Sequence, residues 1–318
     1  MNEKICAYLI HLSENMWGDT PVSRHPGFEG WPTGPAFRDH ILCEDKTWDL
    51  VVGELPKMGV NTLVVDVGDG VRFDSHPELA LSNSWSKEKL AQKLSEAREL
   101  GLTVVPKLNF SAGHDTWMKE YARMLSTSVY YKVVDDLIDE TIELFDNPKL
   151  FHLGMDEEDY NNQSFYDYCV VRHQDLWWSD LLRMTDRCLQ SGARPWIWAD
   201  IYWNHPEEFK NRMPKDVIQS NWYYGSGIQH FIKGNHDVTL AAIGEMDALG
   251  YDQIPCGSNW NFIHNLEQFA LFCKDRIAPE RYLGFMAAPW AYTIWHERYR
   301  LLDCGEKLGG AAKLVWGE

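Results

Sequence analysis

The stretch SKEKLAQKLSEARELGLTVVPKL, residues 86–108, joins an amphipathic helix directly to an apolar strand. Ser86 is a typical helix N-cap, and Gly101 follows the last helical residues as a stop signal. The β-branched run after Gly101 is typical of a strand that is buried on both faces of a parallel sheet. Because a helix leading into such a strand is the repeating unit of α/β proteins, this stretch predicts the fold class.

The same unit recurs along the whole chain. Apolar strands are predicted at residues 5–11, 61–67, 103–108, 150–154, 195–200, 217–222, 253–257 and 282–287. Helices are predicted near residues 48–58, 87–100, 131–145, 174–191, 207–212, 239–249, 266–276 and 297–308. Eight strands that each precede a helix predict a (β/α)₈ TIM barrel, with residues 1–318 as a single domain. An open doubly wound sheet is disfavoured because no Gly-rich phosphate loop follows the first strand.

The composition narrows the function classes. The chain has 318 residues and a formal net charge of −17, which argues against nucleic acid and anionic membrane surfaces as partners. No apolar run approaches the length of a membrane span. Seven cysteines without a CxxC pair disfavour a disulfide framework and a cysteine-based zinc site. With no signal-peptide pattern at the N-terminus, a cytoplasmic location is favoured. A periplasmic or secreted location stays open because a trimmed secretory chain would look the same, and the oligomeric state is not predicted.

The segments after the predicted strands combine acids, amides and aromatic residues. Active sites of barrels lie at these carboxyl ends, so the segments are expected to share one pocket. A sugar has apolar C–H faces and a rim of hydroxyls, which suit aromatic rings and polar groups, respectively. A carbohydrate pocket is therefore predicted, and tryptophans that merely close the barrel are the alternative. The segments are DVGDGVRF, NFSAGHD, MDEEDY, ADIYW, NWYYG, SNWNF and APWAYTIW.

Three consecutive acids end the fourth predicted strand in FHLGMDEE, residues 151–158. Two neighbouring acids can hold a substituent of a substrate and deliver a proton to the same molecule. Acidic runs are also common where a solvent-exposed loop begins. Glu158 and Asp159 are interpreted as such exposed loop residues. Asp156 and Glu157 are the predicted catalytic pair.

This segment resembles the His-x-Gly-Gly-Asp-Glu signature of the family 20 glycoside hydrolases, the β-N-acetylhexosaminidases. It reads His152-Leu153-Gly154-Met155-Asp156-Glu157 here. Further matches occur in the order that the family has along its barrel. They are Asp69, Arg72 and Pro77-Glu78-Leu79 after the second strand, Pro106 and Gly113-His114 around the third, and Trp198, Trp222 and Trp290 after the fifth, sixth and eighth.

The resemblance implies a retaining hydrolysis in which the 2-acetamido group of the sugar is the nucleophile, an exception to the two-carboxylate scheme. Asp156 is then expected to orient this group and Glu157 to act as general acid and base. The residues expected to bind the carbohydrate are Asp69, Arg72, Asn109, His114, His152, Trp198, Trp222, Tyr223, Trp260 and Trp290. His152 as a buried strand residue and His114 as a loop-fixing residue are the alternatives.

The sequence also departs from the family at several positions. Met155 stands in place of the second glycine of the signature, and Lys107 and Asn109 replace two acids after the third strand. The arginine of the first strand has no match, and Tyr223 or Tyr224 would have to take the role of a tyrosine expected after the seventh strand. These changes indicate a different sugar, or a barrel that binds carbohydrate without catalysis.

A metal or cofactor is not expected. The chain has twelve histidines but no HxH or HExxH pattern, so convergence of His11, His114, His152 and Asp156 on a metal is the minor alternative. A serine nucleophile has no support because GxSxG is absent.

Overall fold

In the computed structural model, residues 4–21, 36–234 and 237–317 are described, and their strands form one parallel sheet. The sheet order is β6-β5-β4-β3-β2-β1-β8-β7. Single bridges between Gln219 and Gln253 and between Trp222 and Cys256 join the two outer strands, so the sheet closes on itself. The strands are β1 (Ile5–His11), β2 (Thr62–Asp66), β3 (Thr103–Lys107), β4 (Leu150–His152), β5 (Arg194–Trp198), β6 (Ile218–Ser220), β7 (Cys256–Gly257) and β8 (Gly284–Ala287).

Helices follow the strands and cover the outside of the barrel. The helices are α1 (Asp45–Glu54), α2 (Lys87–Glu99), α3 (Ser128–Leu144), α4 (Asp175–Gln190), α5 (Ile201–Asn204), α6 (Pro206–Arg212), α7 (Ile228–Ile232), α8 (Val238–Ala248), α9 (Asn265–Lys274) and α10 (Arg298–Trp316). The prediction of a (β/α)₈ barrel is confirmed. None of the helices in the described part of the chain combines the length and the apolar character that a membrane crossing needs.

The predicted helix boundaries of residues 86–101 are also confirmed. The Ser86 side chain accepts a hydrogen bond from the backbone N–H of Lys89 at 3.2 Å, and Gly101 has a φ of +92°. Strand β7 is shorter than the predicted 253–257. Pro255 has no N–H to donate to a neighbouring strand, so the regular ladder begins only at Cys256.

The core has two layers because successive strand residues point to opposite faces. In β1, Ala7 and Leu9 belong to the cluster inside the barrel, whereas Tyr8 and Ile10 belong to the cluster beneath the helices. Trp196 and Trp198 of β5 are both inside the barrel and fully buried. The two aromatic rings fill the interior directly below the carboxyl ends of the strands, where the candidate site lies.

Candidate active site

After β4 the chain leaves the barrel through a loop in an uncommon backbone conformation. Gly154, Met155 and Glu157 have φ values of +72°, +73° and +49°. A Cβ on Gly154 would lie 2.0 Å from the Asn109 Oδ1 atom, so only glycine fits there. A residue with a side chain in the left-handed region costs on the order of 1 kcal/mol, and such strain clusters at functional sites. Met155, which replaces a glycine of the family signature, adopts this conformation all the same.

Asn109, at the end of β3, holds this loop through both ends of its amide. Its Nδ2 atom donates to Asp156 Oδ1 at 2.8 Å, and its Oδ1 atom accepts from the backbone N–H of Met155 at 3.2 Å. The Ser111 hydroxyl donates to the backbone carbonyl of Asp156. The carboxylate of Asp156 is therefore fixed from the β3 side.

His114 lies between the two predicted catalytic acids. Its Nε2 atom is 3.4 Å from Asp156 Oδ2 and 3.2 Å from Glu157 Oε2. Burial opposes the charged imidazolium, but the charge of Asp156 and the contact with Glu157 outweigh it and raise the pKa of His114. The arrangement therefore favours the protonated imidazolium of His114 between two acids.

The two acids differ in their access to solvent. Burial, followed by the charge of Glu157, raises the pKa of Asp156, while His114 acts in the opposite direction. The Glu157 side chain is 35% exposed, so it can exchange protons with a ligand or with water. A buried acid beside an accessible one matches a division of labour between charge stabilisation and proton transfer.

A cavity of about 280 Å³ opens above these groups. We call its polar side, formed by Asn109, His114, Asp156 and Glu157, the acidic wall. We call the aromatic part of the lining, formed by Trp17, Trp222, Tyr224, Trp260 and Trp290, the aromatic wall. Met16 completes the lining.

Four of the five rings of the aromatic wall pack against one another. Trp222 and Tyr224 stack with their ring centroids 5.2 Å apart and an interplanar angle of 22°. Trp290 lies edge-on to Tyr224 and Trp17, with centroid distances of 6.2 Å to each. Aromatic rings and a pair of acids in one cavity are suited to a ligand with an apolar ring face and a polar, reactive edge.

Seven of the twelve residues predicted for the site line this cavity: Asp156, Glu157, Asn109, His114, Trp222, Trp260 and Trp290. Two others lie directly beneath it. The His152 Nδ1 atom accepts a hydrogen bond from the Gly154 N–H at 3.0 Å, and its ring packs 4.8 Å from that of Trp198. Trp198 in turn lies 6.3 Å from Trp290. Both residues support the lining, and their direct contact with a ligand stays a prediction.

The remaining three predicted residues point elsewhere. Asp69 is buried and accepts a hydrogen bond from Asn15 Nδ2 at 2.8 Å, whereas Arg72 is exposed. The Tyr223 hydroxyl accepts from the backbone N–H of Gly227 at 2.7 Å and so fixes its own loop. Tyr224, the alternative tyrosine, lines the cavity in its place.

Sequence reasoning missed Met16, Trp17 and Asp200. Met16 and Trp17 follow β1 and line the cavity, and their only signal was their position after a strand. Asp200, which follows β5, accepts a hydrogen bond from the backbone N–H of Glu157 at 2.7 Å. The segment ADIYW, which follows the fifth predicted strand, contains this acid and could have indicated that it lies at the same end of the barrel.

The interpretation of Glu158 as a solvated loop acid was wrong. Its side chain is 4% exposed, and it accepts hydrogen bonds from Arg172 Nε at 2.8 Å and from the Ala112 N–H at 3.2 Å. Arg172 also binds Asp180 at 3.2 Å and donates to the Phe110 carbonyl at 2.6 Å. An isolated buried charge is unfavourable, so these charged groups must stay together. Their contacts therefore join the loops after β3 and β4.

The ligand atoms of His114, Asp156 and Glu157 lie within 4.8 Å of one another, a spacing that would also suit a metal ion. Nitrogen and carboxylate donors of this kind are common zinc ligands. The expectation that the protein uses no metal therefore stays a prediction.

No protein-family model matches the sequence, and the comparison with curated proteins finds no match either.

Solved structures, in contrast, share the fold. A chitobiase from Flavobacterium johnsoniae is similar at 16% identity and a TM-score of 0.56, over 84% of this chain and 46% of that one. An exo-β-N-acetylglucosaminidase from Vibrio harveyi in complex with N-acetylglucosamine is similar at 12% identity and a TM-score of 0.56, over 99% and 58%. Dispersin B is similar at 13% identity and a TM-score of 0.59, over 97% and 99%. The chain thus spans about half the length of the first two, and the fold expected from the resemblance is confirmed.

Proposed function

We propose that residues 1–318 form one catalytic barrel that removes an N-acetylhexosamine-type sugar from the end of a glycan with retention of configuration. One observation carries the proposal. Asp156 and Glu157 lie on either side of His114 and line one cavity together with a set of aromatic rings. The similar chitobiase and N-acetylglucosaminidase support the choice of sugar.

The cavity dimensions support attack at the end of a chain. About 280 Å³ is at the small end of ligand pockets, which suits one sugar ring. Trp222, Tyr224 and Trp290 would then cover the apolar faces of the ring and the acetamido methyl group.

In the first step the acetamido oxygen attacks the anomeric carbon while the bond to the leaving oxygen breaks. Glu157 gives its proton to that oxygen, and the Asp156 carboxylate stabilises the positive charge of the oxazolinium intermediate. In the second step Glu157 accepts a proton from water, which attacks the anomeric carbon and restores the acetamido group. Fixed charges aimed at a developing charge are the largest single contribution to such catalysis in many enzymes.

A panel of nitrophenyl glycosides tests the proposal. Hydrolysis is expected for sugars with a 2-acetamido group and not for the matched sugars with a 2-hydroxyl group, which lack the nucleophile. A thiazoline that copies the charged intermediate should bind far more tightly than the substrate. Efficient cleavage of a 2-hydroxy glycoside that thiazoline does not inhibit would overturn the mechanism. Sugar binding without cleavage would instead identify a carbohydrate-binding barrel.

A further inference from the structure

Asp200 is a buried acid next to the catalytic pair that has no role in the reaction described above. It follows β5 and is 8% exposed. Its Oδ2 atom accepts the backbone N–H of Glu157 at 2.7 Å. Its Oδ1 atom is buried without a hydrogen-bond partner among the residues that the structure describes. One carboxyl oxygen thus holds the main chain of Glu157, and the other is free.

The catalytic loop is held from two sides by different residues. From β3, Asn109 and Ser111 bind Met155 and Asp156. From β5, Asp200 binds the N–H of Glu157, whose φ of +49° is unfavourable for a residue with a side chain. A strained conformation persists only where its surroundings fix it, and Asp200 supplies such a contact.

We propose that Asp200 is a positioning residue that fixes Glu157 in the cavity through its backbone N–H. The inference rests on the proposed function, since it concerns the general acid of that reaction. Glu157 must reach the leaving oxygen within hydrogen-bond distance, so a small displacement of its main chain lowers the rate.

The charge state of Asp200 follows from its neighbours. The loop after β4 turns Asp156 and Glu157 toward it, whereas the adjoining end of β6 contributes the uncharged Ser220 and Asn221. Burial, followed by the charge of Asp156, raises the pKa of Asp200 to about 8. At neutral pH Asp200 is therefore protonated, and above that pKa it adds a third negative charge beside Asp156 and Glu157.

Two variants separate the hydrogen bond from the charge. Asp200→Asn keeps an oxygen acceptor for the Glu157 N–H but cannot ionise. We expect it to retain kcat within a few fold at pH 7. We also expect it to lose the fall in activity that ionisation of Asp200 should cause in the wild type as pH rises through 8. Asp200→Ala removes the acceptor, and we expect kcat to fall about 100-fold with a smaller change in KM.

Asp159→Asn is the matched control. Asp159 lies in the same loop and also accepts backbone N–H groups, from Asn161 and Asn162, but it is exposed and lies outside the cavity. Its pH profile should match that of the wild type. An Asp200→Ala variant with wild-type kcat would overturn the positioning role. An Asp200→Asn variant with the wild-type alkaline limb would overturn the assigned charge state of Asp200.

The titration of Asp200 can be measured without any substrate. Carbon-13 labelling of aspartate carboxyls should show in the wild type a resonance that titrates near pH 8 and is missing in Asp200→Asn. A midpoint below pH 5 would overturn the assigned charge state. If the wild type cleaves no glycoside but this resonance is present, the proposed function fails while the protonated Asp200 stands.

Discussion

The two walls of the cavity are held by different forces. On the acidic wall, hydrogen bonds and ion pairs from the loops after β3 and β5 fix Asp156 and Glu157. On the aromatic wall, Trp222, Tyr224 and Trp290 pack ring against ring, and the buried indole N–H of Trp222 has no acceptor among the described residues. Hydrogen bonds specify atoms, whereas ring packing specifies shape and area.

The two walls therefore tolerate different substitutions. An exchanged atom on the acidic wall leaves a buried partner unsatisfied, which costs more than the lost bond itself. An exchanged ring on the aromatic wall alters fit and affinity but leaves the charges in place. We therefore expect the acidic wall to determine whether the reaction occurs and the aromatic wall to determine which sugar enters.

The strongest test of the contrast is Glu157→Gln. The amide keeps the shape of the side chain but has no proton to give, so kcat should fall about 10²–10⁴-fold on substrates with a poor leaving group. Nitrophenyl glycosides need little protonation and should lose less. The measurement is kcat for both substrate types. Equal losses on both would contradict a role as general acid.

The scaffold under the acidic wall is tested by Arg172→Met. The change leaves the buried carboxylates of Glu158 and Asp180 without their cation. Removing one partner of such a pair costs about 3–5 kcal/mol, and the free energy of unfolding in urea should fall by that amount. A surface control is Lys57→Met, which breaks the exposed pair with Glu54 and should cost less than about 1 kcal/mol. Similar losses in the two variants would show that the cluster does not tie the loops.

How far the sequence predicts each wall follows from the same physics. The eight strands could be predicted from their apolar periodicity. The two acids of the acidic wall could be predicted because they are neighbours in one segment after β4. The segment ADIYW indicated only that Asp200 lies at the same barrel end, because its contact with Glu157 joins loops that are 43 residues apart in sequence.

The aromatic wall was harder to predict. Its rings come from the ends of β1, β6, β7 and β8, and local spacing does not tell which of two neighbours faces the cavity. Tyr223 was chosen, yet Tyr224 lines the cavity because the Tyr223 hydroxyl is bound to Gly227. Glu158 was misjudged for a similar reason, since its partner Arg172 lies in a different loop.

A smaller effect is expected from Trp222→Leu on the aromatic wall. Leucine stays apolar but loses the stacked face that meets Tyr224. An aromatic pair contributes about 0.5–1.5 kcal/mol beyond its buried area, so the Kd of the thiazoline should rise by about tenfold. The pH dependence of kcat should not change, because no charge is altered. A shifted pH profile would show that the two walls are not independent.

The last expected effect is a change in the pH dependence of stability, and it concerns Glu14, a buried acid that follows β1. It lies beside His11, whose ring is 5.4 Å from that of Trp290, and both of its carboxyl oxygens are buried without a partner among the described residues. Burial, and to a lesser extent the charge of Asp66, raises the pKa of Glu14 to about 7, although His11 opposes the shift. The acids of the acidic wall accept hydrogen bonds, whereas the Glu14 carboxyl group accepts none from a described residue.

The sign of its pH effect follows from linkage. The folded protein binds the Glu14 proton more tightly than the unfolded chain, so the contribution of Glu14 to stability is full below the pKa of the unfolded chain and is lost as pH rises to about 7. The loss is at most about 1.4 kcal/mol for each pH unit in that window. Glu14→Gln should remove this slope from urea unfolding curves, whereas Glu120→Gln, which alters an exposed acid, should leave it unchanged. An identical slope in wild type and Glu14→Gln would mean that Glu14 is ionised in the folded protein. A cation or water would then have to stabilise its charge, as the partners on the acidic wall do for the acids there.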